Sequence, residues 1–535
     1  MLATGGRPRV ARWPPGAAFG PIRFGDGRNH GDGRVPGITG TALALAAVLA
    51  LAAFLRLWDL GAVGANSDEA VYAGQAASIA GVPGFEPLFP IFRAHPLLFQ
   101  TLLSLDYRLG GGLVLARAVS ALLGVATVYV TFRLGRLLYG RTAGLLAALF
   151  MAAMPYHVVV SRQVLLDGPM TLCATLTLYL VARFAATARS EWLYAAAGAM
   201  GLTVLCKETS ILLVGALYVF FVLRPDIRLR LRQAAIAAGL FVAIVVQYPL
   251  VLHLAGSGRT GGHYLAWQLF RRPNHDWGFY PSVVPGELGP LVVLAAGAGL
   301  LLMRRRRSWR ETLLLSWIAV PTAFFELWPV KGFQYLLPIA PAVAVLAGRA
   351  VAGRPAARRL RRAPRWRRRS AIAIPAVVIA GSLLTASWQR VSPSPTTTLL
   401  AGAGGVPGGR EAGQWLGRNV PQGAELMTIG PSMANILAFY GHHRSYALSV
   451  SPNPLTRNPS YTPLPNPDFA VREGQVQYAV WDAFSASRSP FFARRLMRYV
   501  ERYRGRLVHQ QTVPMRTPDG RTIRWPAIAI YVMRP

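Results

Sequence analysis

Apolar residues in this chain come in long unbroken runs, not in the short alternating patterns of a soluble sheet. Runs of near span length cover 41–58, 113–132, 143–160, 170–184, 192–206, 211–223, 234–252, 288–303, 312–327, 335–350 and 371–388. That predicts an α-helical polytopic membrane protein with about eleven transmembrane helices. The polar joints between runs alternate in character. Arginines gather at one set of turns (Arg133, Arg136 and Arg141; Arg224, Arg228, Arg230 and Arg232; 304–307; 358–369), while Asp, Glu and His fall at the other set. By the bias of basic loops toward the cytoplasm, the N-terminus is expected inside and the acidic joints outside, in a multi-pass plasma membrane protein. The stretch between the first two runs is mixed. Pro83, Pro87, Pro90 and Pro96 interrupt it, and it reads as an extracytoplasmic loop with helices lying along the interface.

Beyond 390 the pattern changes to that of a soluble domain. Residues 391–410 read as a Pro, Thr and Gly linker, and 411–535 as an extracytoplasmic α/β domain. Helices are predicted over 411–419 and 491–503, and strands over 425–429, 476–481 and 527–532. At the other end, 1–37 is rich in Arg, Gly and Pro without apolar periodicity, and reads as a disordered cytoplasmic tail. A cleaved signal peptide fits less well, because the basic region is too long. The membrane domain is then 38–390. No repeat of fixed period is visible, which disfavours an inverted-repeat transporter.

Composition sharpens this picture. The chain is 53% hydrophobic and 15% charged, with a formal net charge of +35. Because the arginines cluster between apolar runs, the positive-inside bias accounts for the excess and nucleic acid is excluded as a partner. Cys173 and Cys206 both fall within apolar runs and read as packing residues. The adjacent pair His442 and His443 reads as surface.

The candidate chemistry lies at the outer joints. Asn66 to Tyr72 carries two adjacent carboxylates, Asp68 and Glu69, where the first span leaves the bilayer. Ionisable residues kept there read as a functional site, the alternative being an ordinary loop acid. The same side carries Arg162 with Asp167, Lys207 with Glu208, and Lys331 with Gln334 and Tyr335. Glu86, His95, His263 and His275 lie in the loops. Acids and cations converging on one membrane face suit transfer of a sugar from a phosphate-bearing lipid. A carboxylate takes the proton of the acceptor hydroxyl, and a Lys or Arg stabilises the departing phosphate.

Arg56 Leu57 Trp58 Asp59 Leu60, followed by Ser67 Asp68 Glu69 Ala70 Val71 Tyr72 Ala73, resembles the first extracytoplasmic loop of the GT-C glycosyltransferases of the dolichyl-phosphate-mannose protein mannosyltransferase type, a group that includes bacterial relatives modifying lipid A with aminoarabinose. His95 Pro96 is similar to the family's His-Pro-Pro, with Leu97 in place of the second proline. Arg162 with Leu166 and Asp167, then Lys207, and then Lys331 with Tyr335 Leu336 Leu337 Pro338 are similar to its later motifs. His263 Tyr264 and Asp276 Trp277 resemble its long central loop, and the likeness spans roughly residues 40–350. It implies a polyprenyl-phosphate sugar donor and an extracytoplasmic protein, glycolipid or cell-envelope glycan acceptor. It also implies Asp68 as catalytic base, assisted by Asp167 and Glu69. Lys207 and Lys331 would face the lipid phosphate, with Tyr72, His95, Arg162, His263 and Tyr335 binding substrate. Glu86 with His263 would hold a divalent metal if one is used. Each has a plainer reading: Asp167 with Arg162 as a structural ion pair, Lys207 and Lys331 as cations snorkelling at span ends. The rival classes are a transporter or lipid-sugar flippase, supposed to need charges at mid-span, and a catalytically dead glycan-binding scaffold.

Overall fold

A computed structural model describes residues 40–92, 95–256, 263–264, 267–268, 270–271, 273–303, 308–353, 364–392, 405–454, 456–517 and 519–534. The expected tail, the arginine cluster at 304–307, half of that at 358–369, and much of the expected linker lie outside them. Helix α1 (Gly40–Leu57) is followed by two shorter helices, α2 (Ser67–Ala80) and α3 (Leu98–Arg108), and then by α4 (Leu113–Tyr139). Next come α5 (Arg141–Ala153), α6 (Pro155–Ser161), α7 (Asp167–Thr187) and α8 (Ser190–Cys206). Among the described residues, five helices are long and apolar enough to cross a membrane, or seven if each of two sharply bent pairs counts as one crossing. Other runs read as spans fold as shorter apolar helices, Glu208–Leu223 and Leu337–Val351 among them. Helix Leu231–Val245 has no buried residue although it is strongly apolar, as a lipid-facing helix should be.

Small residues let the helices close up. A Cβ on Gly144 would sit 2.8 Å from the Phe132 carbonyl, and one on Gly348 would sit 2.6 Å from that of Ala143, so these glycines bring neighbouring backbones into contact. The α5–α6 pair bends by 59° at Pro155, which leaves the carbonyls at the end of α5 without helical donors. Arg56, fully buried, supplies them. Its Nη1 donates to Ala152 O at 2.9 Å, and its Nη2 to Met151 O at 3.3 Å and to His157 Nδ1 at 2.6 Å. Ser387 Oγ takes the next carbonyl, Ala153 O, at 2.7 Å. A buried guanidinium thus caps the broken helix end, where the helix dipole is negative.

The C-terminal part is a mixed five-stranded sheet with helices. Strands β1 (Leu426–Thr428), β2 (Ser445–Ala447), β3 (Tyr478–Asp482), β4 (Arg506–Arg516) and β5 (Thr522–Val532) lie in the order β2-β1-β3-β5-β4. β1 runs parallel to β2 and β3, and β5 antiparallel to β3 and β4. The domain is docked on the first loop of the helical body. Arg410 Nη1 donates to Gly61 O at 2.7 Å, Ala65 N to Tyr440 Oη at 2.9 Å, and Asn435 Nδ2 to Ser67 Oγ at 2.9 Å. Phe439 meets Phe85 and Phe89 edge-on. Of the two adjacent histidines expected at the surface, His442 is exposed. His443 is buried with Nδ1 3.1 Å from Ala424 O, because it leads from a helix end into β2.

Candidate active site

The stretch Asn66 to Tyr72 is the start of α2. Asn66 caps it, accepting from Glu69 N at 2.9 Å while Glu69 Oε2 accepts from Asn66 N at 3.4 Å. Consecutive helical residues point about 100° apart, so the two neighbouring carboxylates are separated. Asp68 is half-buried and lines a cavity of about 1000 Å³ between the helical body and the C-terminal domain. Glu69 is fully buried and does not line it.

Glu69 is engaged elsewhere. It accepts from Arg117 Nε and Nη2, both at 2.7 Å, and from Val164 N at 2.9 Å. Arg117 in turn holds Leu60 O, Val63 O and Gly64 O at 2.6, 2.8 and 3.2 Å. The pair fastens the first loop to α4 and the chain before α7. Glu69, expected to assist in catalysis, is thus placed in a buried ion pair away from the cavity lining. Arg56 and Arg117 both sit near helix ends, in the last turn of α1 and close to the start of α4.

The expected Arg162–Asp167 pair does not form. Arg162 Nη1 donates to Leu55 O at 3.0 Å and Arg56 O at 3.3 Å, capping the end of α1. Asp167 is paired with Lys207, whose Nζ lies 2.8 and 3.0 Å from its two oxygens and 4.6 Å from the centre of the Tyr335 ring. Lys207 and Tyr335 line the cavity, and Asp167 lies behind them. Lys331 lines it too and is buried, so it does not snorkel. Its Nζ donates to Glu326 O at 2.5 Å and lies 5.1 and 5.3 Å from the rings of Trp277 and Tyr280. Asn274 clamps the Lys331 backbone by two hydrogen bonds of 2.8 Å.

His95 Nδ1 is 2.9 Å from Glu208 Oε2, and its ring meets those of Tyr72 and Tyr264 edge-on; all three rings face the cavity. Burial first, and then the Asp68 carboxylate, hold the Tyr72 hydroxyl well above its ordinary pKa. Burial and then Arg488 push His275 below its usual value, so this cavity histidine is a neutral one at physiological pH. His263 is exposed and does not line the cavity. Glu86 is exposed as well, and among the described residues no group of three or more His, Cys, Asp and Glu is placed to hold a metal. Neither Glu86 nor His263 belongs to such a group.

Several cavity residues carried no sequence signal. Arg271 stacks on Trp267, and Arg390 pairs with Glu287 on the far wall. The C-terminal domain supplies the roof. Gly430 to Ser432 after β1, Ser449 after β2, and Phe484, Ser485 and Arg488 after β3 all line the cavity. The carboxyl ends of all three parallel strands thus open onto it, which is where open α/β sheets usually receive ligands.

The whole architecture matches solved structures. ArnT from Cupriavidus metallidurans in the apo state superposes with a TM-score of 0.65 at 16% identity, over 92% of this chain and 98% of that one. The fold is GT-C. The same enzyme bound to undecaprenyl phosphate gives a TM-score of 0.63 at 16% identity, again over 92% and 98% of the two chains. The Archaeoglobus fulgidus oligosaccharyltransferase in the apo form gives 0.59 at 14% identity, over 91% of this chain and 74% of that one. Residues 94–253 of this GT-C chain match the family model described as dolichyl-phosphate-mannose-protein mannosyltransferase. No curated protein matches the chain by sequence.

Proposed function

We propose that this protein is an integral membrane glycosyltransferase that takes a sugar from a polyprenyl-phosphate donor and passes it to an acceptor hydroxyl outside the cytoplasm. The observation that carries the reading is that Asp68, Lys207 and Lys331 line one large cavity under a hydroxyl-rich roof, with each lysine oriented by an acid, Asp167 or Glu326. Asp68 takes the acceptor proton as the oxygen attacks the anomeric carbon. The bond from that carbon to the phosphate oxygen breaks on the opposite face, inverting the centre, and the cations hold the lipid phosphate as it leaves. Asp167 fixes Lys207 in that direction. The similar ArnT was solved with undecaprenyl phosphate, and the Archaeoglobus fulgidus enzyme with an inhibitory peptide and a dolichol-phosphate. A lipid-phosphate donor for this chain agrees with both.

Eleven spans, with the domain from about residue 411 outside the cytoplasm, complete the proposal. Alkaline phosphatase fused after Pro535 should be active, and fused after Arg307 silent. The decisive assay is transfer of radiolabelled sugar from polyprenyl-phosphate donors by purified protein. Absence of transfer with every hexosyl and pentosyl donor and with peptide, glycolipid and glycan acceptors would return the transporter reading.

A further inference from the structure

The arginines of the C-terminal domain are unevenly placed. Residues 405–487 hold five arginines and five acids, whereas 488–534 hold eleven arginines and two acids, with no lysine in either part. If this domain lies outside the cytoplasm, the positive-inside bias does not explain that excess. Helix Pro490–Arg502 and its flanks carry six of those eleven arginines, and β4, β5 and their connection carry four, Arg506, Arg516, Arg521 and Arg524, against the single acid Asp519.

The strand register shows where that hairpin goes. β3 ends at Asp482, opposite Ile528 of β5, while β5 begins at Thr522. The six residues before Ile528, paired with 512–516 of β4, continue past the end of β3 as a two-stranded ribbon about 20 Å long. Because β5 is antiparallel to β3, the ribbon leaves the sheet at the carboxyl end of β3. That end faces the cavity and the helical body, so the ribbon points toward the membrane side.

The ribbon is amphipathic across its two faces. Val513 is opposite Trp525 and Met515 opposite Ile523, which puts these four side chains on one face. At the base of that face Val513 packs on the domain core. Trp525, opposite Val513, and Ile523, further out, are 42% and 40% exposed. Thr512, Pro514, Thr522, Arg524 and Pro526 occupy the other face, and Arg521 lies at the turn, where its exposed contact with Asp519 at 3.5 Å is weak. Pro514 and Pro526 remove backbone donors from both strands, which disfavours extension of the ribbon by another strand.

We propose that this ribbon is a membrane-surface anchor that seats the C-terminal domain on the bilayer holding the helical body, with Ile523 and Trp525 at headgroup depth and Arg521 and Arg524 on anionic lipid phosphates. An exposed Trp beside arginines on an element directed at the membrane is the composition of an interfacial segment, and its net positive charge complements an anionic leaflet. The consequence for the site is a fixed roof: the ribbon and the strands that line the cavity belong to one sheet. The inference rests on the reading of the helical body as membrane-embedded, and needs no assumption about the sugar.

The test uses the full chain with Cys173→Ala and Cys206→Ala, in vesicles of phosphatidylcholine with phosphatidylglycerol, with a nitroxide placed singly at Ile523→Cys, Gln475→Cys or Val377→Cys. Gln475 is exposed just before β3, at the sheet end away from the cavity. Val377 is 69% exposed on helix Arg365–Val391. The label at 523 should collide with lipid-dissolved oxygen and lose collisions with an aqueous nickel chelate, relative to the label at 475. That protection should vanish in the Arg521→Glu, Arg524→Glu background and in pure phosphatidylcholine. A label at 523 as open to nickel as that at 475, while 377 reports lipid, would overturn the anchor. Protection from both quenchers at 523 would do the same, since protein, such as a second copy, would then be covering it. Protection unaffected by charge reversal or lipid composition would overturn the anionic part. A label at 377 in water would instead refute the membrane reading itself.

Discussion

Glu69→Gln separates positioning from chemistry at this site more cleanly than any other single change. The wild-type carboxylate receives Arg117 through two hydrogen bonds of 2.7 Å and Val164 N at 2.9 Å, all in a fully buried setting. Glutamine keeps one acceptor oxygen and replaces the other with a donor. At least one charge-assisted bond is lost, and the Arg117 guanidinium stays buried with only the carbonyls of Leu60, Val63 and Gly64 to hold it. Breaking one side of a buried ion pair costs about 3 to 5 kcal/mol. Glutamine retains part of the geometry, so about 3 kcal/mol, the low end of that range, is expected. Melting of the purified protein in detergent should fall clearly below that of wild type, and below that of Asp68→Asn, whose side chain lines the cavity. Lowering the temperature or adding donor lipid should restore much of the transfer activity of Glu69→Gln, because the reacting groups remain intact. A variant that melts with wild type yet loses about 10² or more in turnover would refute this, and would make Glu69 a proton acceptor after all.

Asp68→Asn should retain donor binding and melting behaviour while turnover falls by about 10² to 10⁴, read as sugar transfer alongside a separate binding measurement. Lys207→Met should leave Asp167 buried without its partner and destabilise the protein by about 3 to 5 kcal/mol, and adding Asp167→Asn should recover part of that loss; melting of the two single variants and the double variant measures the coupling. In the C-terminal domain, burial pushes the Asp482 carboxyl up to about 6. The folded domain therefore holds a proton that the unfolded chain has already released, and its stability falls as pH rises from about 4 through 6. Asp482→Asn, which keeps the cap that Oδ1 provides to Ser485 N, should abolish that slope in unfolding measured by hydrogen exchange across the domain.

Much of the plan was legible because bilayer and sheet impose simple periodicities. Unbroken apolar runs could only be helices in lipid. In the soluble part, the helix expected over 411–419 lies at Gly409–Asn419 and the strand expected over 476–481 at Tyr478–Asp482. β4, whose apolar pattern is interrupted by His509, Gln510, Gln511 and Pro514, and β2, which has only three residues, carried no such signal. Within the site, the sequence pointed to Asp68, His95, Lys207, Lys331 and Tyr335 as polar residues at one membrane face, and all five line the cavity.

Partnerships were another matter, since they join residues far apart in the chain. Asp167 is five positions from Arg162 but pairs with Lys207, because Arg162 is occupied by the carbonyls at the end of α1. Glu69 and Asp68 are adjacent and chemically alike, yet a helical turn sends one to Arg117 and the other to the cavity. Arg488 and the serines of the roof belong to a domain whose sequence gave no hint of a site. Local pattern, set by solvent and backbone geometry, determined which segments are helices, which are strands, and which joints between apolar runs hold the acids. Tertiary packing alone decided which charge neutralises which and what closes over the cavity, because those energies depend on distances between segments that the chain order does not encode.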